Sequence, residues 1–504
     1  MASKTNGSLT ESPQRGPPKL YPQPTPYNIQ LSPSETPGRT HVEELSHESA
    51  EKVSELLMLN HVQHHTLFDE VGFHNHIVHH LLTLWALGAT PSEIQAAYDL
   101  NKPYQFLTQH HATSVSVKLK EPEFFNECLG KPKFYGDFLK FFQDKIAEHG
   151  VPNVVNEYIF KGDGRADNLF GRMHSGILHP LIHLGIALEF HQPCLVAESL
   201  AAACIHDDWP VLFLLPAEKF FQSNPETQSE CLLSIIDDLR NDPIVSNAVK
   251  PSDPPNKIRH GLLKRASKEL IPHLAKFQVS PTPQDLAKKT VETIQVSAYL
   301  CGAAQNPDKV EAIDFIMMHM TTLSIFYPTF MEQDWISNEN KKRMLEWKGR
   351  SDAVIYAGCG CPRLYAERII NYTPKRPQDG WQEVIQRANR YADDGHTSKL
   401  IRALLNAGNI SEPILNAPGL PLNKGDFFKI AHMVIDAVER MLQPGYYKMT
   451  ERVRKIYAVG RGQHDEVVRI FARWVRWCGL EGAWDDVPDL EEKAGEMPRI
   501  AARL

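Results

Sequence analysis

The chain has 504 residues, 42% hydrophobic and 23% charged, enough apolar material for one large core or for two to three ordinary domains. Its net charge of −7 offers no basic surface to nucleic acid or anionic lipid. Eight scattered cysteines form no CxxC pair, no apolar leader opens the chain, and no run approaches the roughly 18 apolar residues of a membrane span, so the expectation is a cytoplasmic protein in a reducing compartment.

Residues 1–40 contain eight prolines among Ser, Thr and Gly, which predicts an arm that is either extended along the surface or disordered. From there to residue 504 the pattern predicts one helical domain. Apolar residues recur at spacings of three and four in "SAEKVSELLMLNHV", "NHIVHHLLTLWALGA", "PEFFNECLGKPKFYGDFLKFFQDKIAEHG", "ILHPLIHLGIALEF" and "CLVAESLAAACIH". The pattern continues in "TQSECLLSIIDDLRND", "PQDLAKKTVETIQVSAYLCGAA", "KVEAIDFIMMHMTTLSIFY", "NKKRMLEWKGRSDAVIYAGC", "DDGHTSKLIRALLNAG", "FFKIAHMVIDAVERML" and "DEVVRIFARWVRWCG". Period-two alternation is scarce, so the fold class is all-α, a large multi-helix bundle. The proline-rich "VKPSDPPNKIRHG" at 249–261 reads as a linker or as a loop within one domain.

No GxGxxG, Walker A, CxxCH, GxSxG or HExxH motif occurs, which disfavours a nucleotide-binding dehydrogenase or flavoprotein. The compositional signal is histidine, with 23 copies. His319 sits in "FIMMHMTTLSIF", apolar nearly all round, and so must hydrogen-bond or ligate. His179 and His183, four apart, share a helix face and make a two-ligand platform for zinc, iron or copper. His74, His76, His79 and His80 crowd the start of another helix, where spacing does not select among them. In "DDGHTSKLIRALL", His396 and Lys399 lie on the face that Leu400 and Ala403 bury. A buried ammonium ion is costly and has no lone pair to give a cation. It can become a neutral amine, react with carbon dioxide to form a metal-binding carbamate, or pair with an acid such as Asp393 or Asp394.

The blocks "HNHIVHHLLTLWALGA", "HPLIHLGIALE" followed by "VAESLAAACIH", "DFIMMHMTTLSIF" and "DDGHTSKLIRALL" resemble, in this order, those of the questin oxidase-like family. The resemblance runs from about residue 60 to beyond 430. It implies a fungal oxygenase of secondary metabolism that opens the central ring of an anthraquinone-type aromatic polyketide with dioxygen, an activity long described as Baeyer-Villiger-like. It also implies a mononuclear non-haem Fe(2+) between facing helices, held by His76, His179, His319 and His396 and by a carboxylated Lys399. His79 and His80 are rivals to His76, and His183 to His179; Tyr299, Tyr356, His183 and His80 are candidate acids or bases. Two alternatives stand beside this: an NADPH-dependent monooxygenase on the same substrates with no catalytic metal, and a non-catalytic helical scaffold. Cys359 and Cys361 of "CGCP" are expected to be buried thiols in a turn.

Overall fold

In the computed structural model, residues 23–69, 72–109, 111, 113–412, 420–442 and 474–490 are described. The helices that build the interior are α1 (His47–Gln63), α2 (Ile77–Ala86), α3 (Tyr135–Val155), α4 (His179–Glu189), α5 (Pro193–Ile205), α6 (Pro283–Ala303), α7 (Met318–Ser324), α8 (Asn338–Gly358), α9 (His396–Ser411) and α10 (Asp426–Arg440). Shorter helices pack around them. Among the described residues β-structure is limited to isolated bridges. No helix there is long and apolar enough to cross a membrane.

The helices surround one continuous apolar core running from Ile29 to Trp484. α3 and α4 pack on α5, α7 and α8 pack on α6, and α10 packs on α9. At the centre, α2 touches α4 and α9, and α7 touches the same two. These four close a ring, and each carries one of the predicted histidines at its start. Within 249–261, residues 249–256 are a loop of this one domain and 257–261 begin the next helix; Lys257 Nζ donates to the carbonyls of Pro251 and Asp253 at 2.9 Å each.

Several predicted helices are shorter than their sequence pattern. The span 122–150 breaks at Gly130 (φ +73) and Pro132, so that α3 begins only at Tyr135. Residues 309–317 are not helical: Asp314 bridges to Val475, and its carboxylate accepts from the amides of Ile316, Met317 and Cys478, which delays α7 to Met318. The predicted helix at 465–479 lies mostly outside the described residues, and its end, 474–479, is bridge and turn. Cys359 and Cys361 are buried free thiols around Gly360, a turn as expected.

The proline-rich arm, where described, is irregular chain with turns at 26–27 and 33–35 that packs on the core, with Ile29, Leu31, Thr36 and Thr40 buried. It ends in a clamp. Glu189, the last residue of α4, accepts from the Arg39 amide at 2.7 Å and from Arg402 of α9, whose Nε donates to the Thr40 carbonyl at 2.8 Å. Gly38 (φ +77) lies where a β-carbon would strike Phe190 at 2.8 Å. Both charges are about 1% exposed, so removing one strands the other in a low-dielectric interior. Glu189→Ala is expected to destabilise the fold by about 3–5 kcal/mol in urea denaturation; an unchanged midpoint would show that the clamp carries no stability.

Candidate metal centre

Each predicted histidine is delivered by a particular helix start. His76 is the N-cap residue of α2, with the Asn75 carboxamide oxygen accepting from the Ile77 amide at 3.0 Å. His179 opens α4 after three consecutive positive φ angles, Gly176 (+54), Ile177 (+53) and Leu178 (+68). A β-branched residue in that region is strained by roughly 1–3 kcal/mol. Gly176 is required there twice over, because a β-carbon would meet His74 Nε2 at 2.6 Å and His206 Cε1 at 2.7 Å. His319 is the second residue of α7, held by the Asp314 turn.

The segment Asp393–Lys399 divides its work residue by residue. Asp393 accepts from the amides of Gly395 and Thr397 and from the Thr397 hydroxyl, which starts α9. Gly395 (φ +92) makes the turn and leaves room for His80, whose Cβ and Cγ lie 2.6 Å from the position of a β-carbon. Asp394 faces two histidines: it accepts from His396 Nδ1 at 2.6 Å and lies 3.1 Å from His76 Nδ1. His396 is the first helical residue, and Lys399 follows one turn later.

The ligand atoms of His76, His179 and His396 all lie within 4.8 Å of one another. His76 Nε2 is 2.7 Å from His179 Nε2, and His319 Nε2 is 3.3 Å from His396 Nε2. The outer nitrogens are committed elsewhere. His179 Nδ1 donates to the Gly176 carbonyl at 2.5 Å and His319 Nδ1 to the Phe315 carbonyl at 2.6 Å, while those of His76 and His396 face Asp394. All four imidazoles are held well below their usual pKa, first by burial and then by Lys399 and by one another. Neutral rings with outward N–H groups turn bare lone pairs toward one point.

Such lone pairs repel unless a cation lies among them. A first-row divalent ion takes imidazole nitrogen at about 2.1 Å, which sets neighbouring donors about 3 Å apart; the observed 2.7 and 3.3 Å bracket that spacing. His76, His179 and His396 fit a metal together, and His319 adjoins them through His396. Outer-sphere carboxylate and carbonyl partners of this kind fix the tautomer and orientation of metal-ligating imidazoles. Phe315 packs against both His319 and His396, at 4.9 and 4.8 Å between ring centres, and the Arg476 guanidinium lies over its ring at 4.2 Å.

Lys399 is buried and makes no side-chain hydrogen bond or ion pair among the described residues. Burial pushes its amine down to about 8, against the opposing pull of Asp394 and Asp393. The starts of α2, α4 and α9 all face the site, and their positive dipole ends disfavour an ammonium ion and favour an anion. A neutral or carboxylated lysine suits these surroundings better than a charged one.

The rivals are placed differently. His79 Nε2 lies 3.1 Å from His183 Nδ1, and His183 Nε2 lies 3.1 Å from Glu198 Oε2, so both rings are turned toward Glu198 of α5. His80 packs beside Gly395. His74 stacks on His179 with ring centres 4.3 Å apart and meets His206, Nε2 to Nε2, at 2.7 Å; all four histidines at the start of α2 are buried. Two of the acid–base candidates fail on position. The Tyr356 hydroxyl donates to the Pro362 carbonyl, and Tyr299 lies among Asp237, Arg240 and Glu367, because their helix faces point away from the histidines. Sequence spacing missed His206 and the cluster of His61, Cys194 and Glu198; the i, i+4 pair Cys194 and Glu198 in "CLVAES" was its only signal.

A family model described as questin oxidase-like matches residues 73–404. The chain belongs to the questin oxidase-like family. It is 54% identical to the oxidoreductase AflY of Aspergillus parasiticus over 95% of this chain and 96% of that protein. It is 36% identical to the Baeyer-Villiger oxidase ptaJ of Pestalotiopsis fici, over 82% of this chain and 93% of the relative. With the questin oxidase of Aspergillus fumigatus it shares 34% identity, over 77% and 88%. This questin oxidase-like protein is therefore an oxidoreductase, and a scaffold without activity is set aside.

The folded chain holds the Lys399 proton less tightly than the unfolded chain does, so its cost is complete below pH 8 and fades as pH rises toward 10.5. In metal-free protein at pH 7, Lys399→Met is expected to raise stability by about 3 kcal/mol. The gain should shrink between pH 8 and 10.5. Denaturant titrations across that range check it, and a pH-independent difference would mean that the amine is already neutral or modified.

Proposed function

We propose that this protein is a non-haem iron oxygenase that uses dioxygen to cleave the ring of an anthraquinone-type aromatic polyketide in fungal secondary metabolism. The observation that carries the reading is the convergence of His76, His179 and His396, with His319 3.3 Å from His396, beside a buried Lys399 that makes no side-chain hydrogen bond or ion pair among the described residues. The relatives' names support the reaction class: one is a questin oxidase and another a Baeyer-Villiger oxidase.

His76, His179, His319 and His396 would hold the iron through Nε2. The neutral fraction of the Lys399 amine, enlarged by burial, would attack carbon dioxide, forming an N–C bond and releasing one proton, and the resulting carbamate would offer a fifth, anionic donor. Iron supplies the binding and activation of dioxygen when present. Asp394 keeps His76 and His396 in the tautomer with Nε2 free, as a carboxylate behind a ligating imidazole does. Phe315 and the methionines flanking His319 are buried and keep water from the rings. The three helix starts stabilise negative charge that develops on oxygen or on a substrate phenol.

Two variants test this on iron content and turnover. Lys399→Met should be folded, retain almost no iron and be inactive, and ¹³C-labelled carbon dioxide should give a carbamate resonance only in wild type. Asp394→Asn should bind iron roughly 10–100-fold more weakly. Wild-type iron content in Lys399→Met would remove the lysine from the ligand set, and full activity of metal-free protein with NADPH would overturn the iron reading.

A further inference from the structure

Beyond His183, α5 places Cys194 and Glu198 four apart on one face, opposite His61 near the end of α1. One ligand atom each from His61, Cys194 and Glu198 lies within 4.8 Å of the others. Cys194 Sγ is 3.5 Å from both His61 nitrogens, and His61 Nδ1 is 2.6 Å from Glu198 Oε1. His183 reaches the same carboxylate from α4: its Nε2 is buried, 3.1 Å from Oε2, yet makes no hydrogen bond. All four side chains are at least nine-tenths buried.

We propose that His61, Cys194, Glu198 and His183 form a second metal site, distinct from the histidine–lysine centre, that takes a zinc-type divalent cation. The donor set of two imidazoles, one thiolate and one carboxylate is one that zinc accepts in tetrahedral geometry. At ordinary bond lengths such a site sets sulfur and nitrogen about 3.5 Å apart, the separation found between Cys194 and His61. The His183–Glu198 separation is a few tenths of an ångström short of the corresponding value, and the 2.6 Å His61–Glu198 contact is a hydrogen bond that the metal would replace.

Charge favours occupancy. A divalent cation with one thiolate and one carboxylate is neutral overall, which suits a buried position. Binding releases the Cys194 thiol proton to solvent, while the His61 proton moves from Nδ1 to Nε2. There Gln143, whose amide nitrogen is 3.1 Å away, can accept it through its carbonyl oxygen after an amide rotation that gives up its bond to the Pro26 carbonyl. The His183 proton likewise moves to Nδ1 and is donated to His79 Nε2 at 3.1 Å. The site thereby pins His79 next to the histidine–lysine centre. The inference stands whether or not that centre holds iron.

Metal-depleted full-length protein titrated with Co²⁺ tests it directly. Wild type should develop a thiolate-to-cobalt charge-transfer band, because the other metal-competent cluster among the described residues contains no cysteine. Cys194→Ser should lose the band and one equivalent of bound zinc by elemental analysis, while Lys399→Met should keep both. Glu198→Gln should weaken zinc binding at this site by at least tenfold. Absence of the band in folded wild type at saturating Co²⁺ overturns the proposal and leaves a hydrogen-bonded network only, and this arm decides even if the Cys194 and Glu198 variants fail to fold. Zinc stoichiometry unchanged in folded Cys194→Ser overturns it equally.

Discussion

The structure depends on a repulsion. Four imidazoles turn their lone pairs toward one another across 2.7 and 3.3 Å; the outer nitrogens of His179, His319 and His396 are bonded to a carbonyl or carboxylate, and His76 Nδ1 lies 3.1 Å from Asp394. Left free, any of these rings could turn over and exchange a lone pair for a hydrogen bond. Asp394 holds two of them, and the strained left-handed run at 176–178 supplies the Gly176 carbonyl that holds a third. Backbone strain of this sort persists only where packing on several sides over-determines it.

That packing is tertiary. α4 and α9 bring His179 and His396 to the site from their starts, and the Glu189–Arg402 pair, which also holds residues 39 and 40, ties the far end of α4 to the middle of α9. The segment that composition marks as a loose arm thus fixes the relative position of two ligand-bearing helices. A second tie runs from the Pro26 carbonyl through Gln143 to His61, joining the same arm to the Cys194–Glu198 cluster.

Much of this was legible. Apolar periodicity located the long helices, and the buried settings of His319 and Lys399 marked them as residues needing a partner or a changed chemistry. Periodicity misled at the starts. It ran α4 back to Ile177 and α7 back to Lys309, because apolar residues in a strained turn or in a bridge to Val475 are buried as thoroughly as those in a helix. For the same reason it treated the histidines as members of helix faces, whereas His76, His179 and His396 cap or open their helices. Asp393 starts α9 through contacts within four residues, whereas the approach of Asp394 to His76 spans hundreds of residues, and neither role has a periodic signature.

Those separations impose an order in time. His76 and His179 are 103 residues apart, and His319 and His396 a further 77 apart, with Lys399 last. No partial chain emerging from the ribosome contains the full donor set until nearly four-fifths of the protein has been made. Any cation held by the full set would therefore be captured late in synthesis or after it, by a chain already largely folded around these rings.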